Sequence, residues 1–168
     1  MPITPFHIVA GFAVKSIFGR YFSWSVFTLT NIIIDTEVIY YILTIGEVSH
    51  KFFHTFFGST IVATFCAILG IPICEKVLEY WNKNLQNEKS LSKLKWLATG
   101  TKITILSSVS GAFVGAYSHI LLDSFMHIDV KPLGNNLLGI ISINKLHLSC
   151  VALLLIGVVI YFLKRQSK

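Results

Sequence analysis

The chain has 168 residues, of which 54% are hydrophobic and only 13% charged, with a net charge of +6 and a mean hydropathy of +0.69. Soluble domains carry about 25% charged residues, and one of this size has no way to keep so much apolar surface from water. These figures argue against a soluble cytosolic enzyme, and against nucleic acid as a partner, since basic nucleic-acid binders are not this apolar. A single multi-pass membrane domain over residues 1–168 is the class that fits. The polar minority is unusual: six histidines and three aspartates, most of them inside or beside apolar runs.

In chain order, Thr4 followed by Pro5 reads as an N-cap and a first-turn proline, so a helix is expected to start there. Phe6–Phe18 is apolar apart from Lys15. It does not read as a signal peptide, because it lacks a positive start and a small-residue cleavage site. A short helix that dips into the bilayer, or nearly crosses it, is the expectation. A membrane helix needs about 20 mainly apolar residues. Four segments qualify: Tyr21–Leu43, which includes Asn31, Asp35 and Glu37; Thr55–Cys74; Ile103–Leu122; and the slightly shorter Leu146–Leu163. The expected fold is an all-α, polytopic membrane bundle of four long spans plus a short N-terminal membrane-dipping helix. Cys66, Cys74 and Cys150 lie in or at the ends of spans without a C-x-x-C pair, and read as small apolar packing residues.

The basic residues suggest an orientation. With the Tyr21 span running outward, Lys15, Arg20, the six lysines from Lys76 to Lys102, Lys164, Arg165 and Lys168 share one side, and only Lys51, Lys131 and Lys145 the other. Positive charge concentrates on the cytoplasmic side of membrane proteins. The Glu75–Lys102 stretch is then a partly helical cytoplasmic loop, the C-terminus is cytoplasmic, and a cell inner membrane is the expected location.

The segment Gly111–Asp129 is the most informative. Gly111, Gly115, His119, Asp123 and His127 recur every four residues, the spacing that places side chains on one helix face. The glycines allow another helix close beneath the polar groups. His119 and Asp123 project one turn apart, with His127 a further turn on if the helix continues. Two readings stand for such residues: a hydrogen bond that locks helices together, or a ligand or catalytic site. The lone carboxylate of Asp123 favours the second.

Three other groups join this stripe. His50 and His54 are four apart at the start of the second span, a spacing that lets one helical face offer two nitrogens to a metal. His54 is the better candidate, being nearer the membrane. In the first span Asn31 and Asp35 share a face, whereas Asp35 and Glu37 point to nearly opposite sides of a regular helix. His7 lies in the first turn of the N-terminal helix, where the helix dipole keeps an imidazole neutral. His147 and Asp129 are less constrained, and Lys131–Asn136 reads as a turn.

The N-terminal T-P-F-H, the acid in the first span, the H-x-x-x-H-T start of the second and the G-x-x-S-H-x-x-L-D block together resemble the YdjM-like family. Its members are prokaryotic inner-membrane proteins described as metal-dependent hydrolases. The likeness runs over nearly the whole chain and is weakest in the Glu75–Lys102 loop. Family members often space the histidine pair one residue further apart than His50 and His54. In order alone, His7, Asp35, His54, His119, Asp123 and His127 are also similar to the ligand series of zinc-dependent phospholipase C and nuclease P1. The later H-x-x-x-D of those enzymes is missing, because Val151 stands four residues after His147.

The resulting expectation is a metal-dependent hydrolase with its site near the outer face. Its metal ligands would be drawn from His7, Asp35, His50, His54, His119, Asp123 and His127, with Asp35 or Glu37 taking a proton from the attacking water. Imidazole and carboxylate without thiolate suit one or two divalent ions, zinc above all. Membrane lipid is the expected surrounding, and an amphiphilic phosphoester the expected substrate class. The rival expectation is a proton or metal-ion carrier using the same cluster; carriers commonly show internal repeats, and none is visible here.

Overall fold

A computed structural model describes residues 5–87, 97–132, 134, 135 and 137–166, and all regular structure among them is helical. The elements are α1 (Pro5–Phe18), a 3-10 turn (Gly19–Tyr21), α2 (Trp24–Ile45), α3 (Phe56–Asn87), α4 (Ile105–Met126) and α5 (Ile143–Gln166). Helices α2 to α5 are long and apolar enough to cross a membrane, four such helices among the described residues, as in a polytopic membrane protein. The 14 residues of α1 rise about 21 Å at 1.5 Å each, short of the roughly 30 Å hydrocarbon layer. By itself it is too short to cross that layer.

Lys15, which interrupts the apolar run of α1, closes that helix. Its Nζ donates to the carbonyls of Gly19 at 2.9 Å and Phe22 at 2.8 Å. Lys164 of α5 reaches the Ser16 and Ile17 carbonyls at 2.8 and 2.9 Å. Lys164 thus serves last-turn carbonyls of α1, which a helix C-terminus leaves without intrahelical partners, while Lys15 ties α1 to the turn that follows it. The expected N-cap, Thr4, lies outside the described residues.

Two spans start slightly later than their apolar runs, because polar caps set their beginnings. Ser23 caps α2 by accepting from the Val26 N–H at 3.3 Å, and Thr104 caps α4 through the Ser107 N–H at 3.2 Å. Helix α3 departs further from expectation. It runs past Cys74 to Asn87, through Pro72, so the first part of the expected Glu75–Lys102 loop is regular helix. The residues beyond Cys74 are mostly good helix formers. This extension is also tied down: Leu85 is fully buried, Glu75 accepts from the Ile103 N–H at 2.9 Å, and Asn82 pairs with the Thr99 backbone. Residues 88–96 of that loop lie outside the described residues, as do 133 and 136 of the expected turn, which Gly134 N–H closes on Lys131 O at 3.2 Å.

The core is formed where α2, α3 and α4 meet, around Val26, Ile34, Val62, Ala63, Cys66 and Ala116. Small side chains dominate because membrane helices associate by close backbone packing. All three cysteines are free and buried, acting as apolar filling. At Gly111 a Cβ would collide with the Ser23 carbonyl, and at Gly115 one would sit 3.1 Å from the Phe27 carbonyl and 3.3 Å from Asn31 Nδ2. These two glycines let α4 lie against α2, and one turn beyond them the polar residues of both helices meet. Helix α5 packs mainly on α1 and turns much of its apolar surface outward.

Candidate metal centre

Four buried side chains converge from three parts of the chain. Asp35 comes from the middle of α2, His54 from the turn before α3, and His119 and Asp123 from one face of α4. His119 Nε2 lies 3.3 Å from Asp35 Oδ1 and 3.2 Å from Asp123 Oδ2, and His54 Nε2 lies 3.5 Å from that same Asp123 oxygen. One ligand-type atom of each residue falls within 4.8 Å of the other three.

The Nδ1 side of each ring is firmly held. His54 Nδ1 is 3.0 Å from Glu37 Oε2, and the Glu37 carboxylate also accepts the backbone N–H groups of Lys51 and Phe53 at 3.1 Å. His119 Nδ1 is 2.9 Å from Asn31 Oδ1. The Asn31 amide nitrogen donates to the Phe27 carbonyl at 2.8 Å, which leaves its oxygen as the acceptor for His119. Both imidazoles thus donate from Nδ1 and direct Nε2 at the aspartates. Those two Nε2 atoms are buried and have no hydrogen-bond partner. A buried polar atom left so costs about 1–3 kcal/mol. Two imidazole nitrogens and two carboxylates around one point, each ring backed by an outer acceptor, are a donor set that fits a divalent cation.

An unbroken helix brings both Asp35 and Glu37 to one centre. Asp35 faces α4, while Glu37 faces the turn that carries His54, and His54 lies between them. That turn has its own cause: Thr55 caps α3 by accepting the Gly58 N–H at 3.0 Å, and its backbone N–H bonds to Phe52 O at 3.1 Å.

His7, in the first turn of α1, reaches the same centre by another side. Its Nδ1 is 3.3 Å from His119 Nδ1 and its Nε2 is 3.6 Å from Asp123 Oδ1. Because His119 already carries a proton on Nδ1, the His7 proton belongs on Nε2, facing Asp123. His7 therefore stands beside the four ligand-type residues and addresses the other oxygen of the shared aspartate.

His50 and His127 are drawn together elsewhere. The residues around His50 and His54 are not helical, so the pair does not present two nitrogens along one helix face. Their rings instead meet edge to face, 4.6 Å apart. Helix α4 ends at Met126, and His127, its C-cap, has extended backbone angles of φ −124° and ψ 130°. This takes His127 off the four-residue stripe and places its ring 4.3 Å from that of His50. Asp129 completes a second group, in which one ligand-type atom of each residue again lies within 4.8 Å of the others. Both the backbone N–H and ring Nδ1 of His50 contact Asp129 Oδ2, at 2.9 and 2.8 Å. Burial opposes the Asp129 charge, but these bonds outweigh it and hold the carboxyl below its ordinary value. Burial likewise pushes the His127 imidazole down, toward its neutral form. His147 belongs to neither group among the described residues.

Sequence reasoning did not assign Asn31 its work as the acceptor behind His119, although its four-residue spacing from Asp35 was the available signal. It also left Asp129 aside, although Asp129 stands two residues after His127.

The fold and this centre define a polytopic helical membrane protein with a buried cluster of histidine and aspartate. Over residues 1–168 the chain matches the family described as a domain of unknown function (DUF4184), and it belongs to that family. No curated protein and no solved structure matches it.

Proposed function

We propose that this protein is a metal-dependent hydrolase acting on an amphiphilic phosphoester at a membrane surface. The observation that carries the reading is the pair of orphaned Nε2 atoms, of His54 and His119, aimed at Asp123 beside Asp35. The motif resemblance to the YdjM-like proteins supports it. Asp35, His54, His119 and Asp123 would hold the ion, and zinc suits nitrogen and carboxylate donors without thiolate. A divalent ion held there supplies Lewis acidity and a nucleophilic water at neutral pH.

The chain's own residues divide the remaining work. Glu37 is occupied by His54 and two backbone N–H groups, so its role is to orient His54. Asp35 lies on the Nε2 face of His119 and is the acceptor for the proton of the attacking water. Asn31 fixes His119 in its productive tautomer, and His7 stands beside the free oxygen of Asp123, its Nε2 3.6 Å away.

The surroundings support an amphiphilic substrate. Beyond Glu37, α2 continues from residue 38 to residue 45, a rise of about 12 Å, with Tyr40, Leu43 and Ile45 exposed. Val48, Phe52, Phe56 and Phe57 are exposed at the same end. An apolar rim this extensive would be set in lipid, with the acidic centre beneath it. Lys15, Lys76, Lys83, Lys102 and Lys164 belong to the opposite end, and this bias supports a site at the outer face under the positive-inside rule, with a cell inner membrane as the proposed location.

The test is hydrolysis of phosphodiesters by detergent-purified protein, comparing long-chain phospholipids with a soluble nitrophenyl diester. The expected result is metal-dependent turnover that is greater on the lipids and lost in Asp35→Asn. Metal-bound protein that turns over neither substrate but passes ions into liposomes would replace this reading with that of a carrier.

A further inference from the structure

Next to the buried centre, the second group of His50, His127 and Asp129 has the chemistry of a cation site of its own. We propose that these three residues bind a second, exchangeable divalent cation of the zinc or cobalt type at the mouth of the buried centre.

His50 belongs to the connection between α2 and α3, whereas His127 and Asp129 follow the end of α4. Two separate segments therefore bring ligand-type atoms within 4.8 Å of one another. His50 is 6% exposed, so its ring is held in place, and its backbone N–H fixes Asp129 Oδ2 at 2.9 Å. The ring Nδ1 lies 2.8 Å from the same oxygen, a separation shared by a hydrogen bond and by two neighbouring ligands of one ion. A cation entering there takes the position of the shared proton, and the His50 proton is then carried on Nε2. The 4.3 Å approach of the His50 and His127 rings leaves the second imidazole within reach. Two imidazoles and one carboxylate select a borderline transition metal over magnesium or calcium.

Burial separates the two sites in behaviour. All four residues of the inner group are buried, whereas in the outer group His127 is half-buried and Asp129 exposed. The outer cation therefore exchanges with solvent and has room for water or a substrate oxygen among its ligands. The rings of His50 and His54 touch, so the two sites share a wall. This second site stands on its own residues, whatever reaction the inner centre performs.

The experiment is titration of chelator-stripped, full-length protein in detergent with Co2+, followed by absorbance and by metal analysis after desalting. The wild type should take up two classes of ion, one tight and one readily removed by chelator. In Asp129→Asn and in His127→Ala the weaker class should bind at least about 100-fold less well, with the tight class retained. In His119→Ala the tight class should be lost instead. A wild type that binds only one ion, still bound in both outer variants and lost in His119→Ala, would overturn the second site alone. Loss of both classes together in Asp129→Asn and His127→Ala would show that no separate site exists.

Discussion

At the scale of single residues, Asn31 and Glu37 touch no ligand position, yet they decide which nitrogen of His119 and of His54 faces the aspartates. Outer acceptors of this kind are worth about 10–100-fold in metal affinity. Asn31→Ala should therefore weaken metal binding by roughly that factor while leaving the helical circular dichroism unchanged. Glu37→Gln should weaken it less than Glu37→Ala, because the glutamine oxygen can still accept from His54 Nδ1. Metal titration checks both, and wild-type affinity in Asn31→Ala would show that the tautomer is set by something else. The residues themselves were partly legible in the chain. His119 and Asp123 announce themselves by their four-residue spacing in an apolar run. Asp129 does not, because its pairing with His50 spans 79 positions and no periodicity connects them.

At the scale of elements, the site depends on how closely two helices approach. Gly111 and Gly115 place α4 against the backbone of α2, and Asn31, Asp35, His119 and Asp123 meet one turn further on. Gly115→Val would drive a side chain into the Phe27 carbonyl and the Asn31 amide. Overpacking of this kind costs about 1–3 kcal/mol, and here it also moves the Asn31 acceptor. Gly115→Val should lower both thermal stability in detergent and metal content; a variant with full metal content would contradict the close-approach account. The spans were legible because each is a long apolar run, and the glycine contact because small residues recur at helical spacing. Helix ends were less so. The continuation of α3 to Asn87 depends on the burial of Leu85 and on Glu75 and Asn82 finding partners in the segment before α4. The end of α4 at Met126 removes His127 from a stripe that the sequence continues unbroken.

At the scale of the whole molecule, charge is divided between two ends. Acids and histidines gather at the end formed by the start of α1, the connection between α2 and α3, and the last turns of α4, while most lysines belong to the other. Orientation can be read by labelling single cysteines with a membrane-impermeant maleimide in intact cells, since the three native cysteines are buried. Glu47→Cys should react from outside and Lys102→Cys only after permeabilisation; the reverse pattern would place the centre at the cytoplasmic face.

The proposed chemistry requires that Asp35, His54, His119 and Asp123 hold a metal ion. Metal analysis of gently purified wild-type protein beside His119→Ala and Asp123→Asn tests it most directly. Tightly bound divalent metal is expected in the wild type and its loss in both variants, with helical content preserved. Wild-type protein that binds no metal even when reconstituted with zinc, or variants that keep the tightly bound ion, would contradict it.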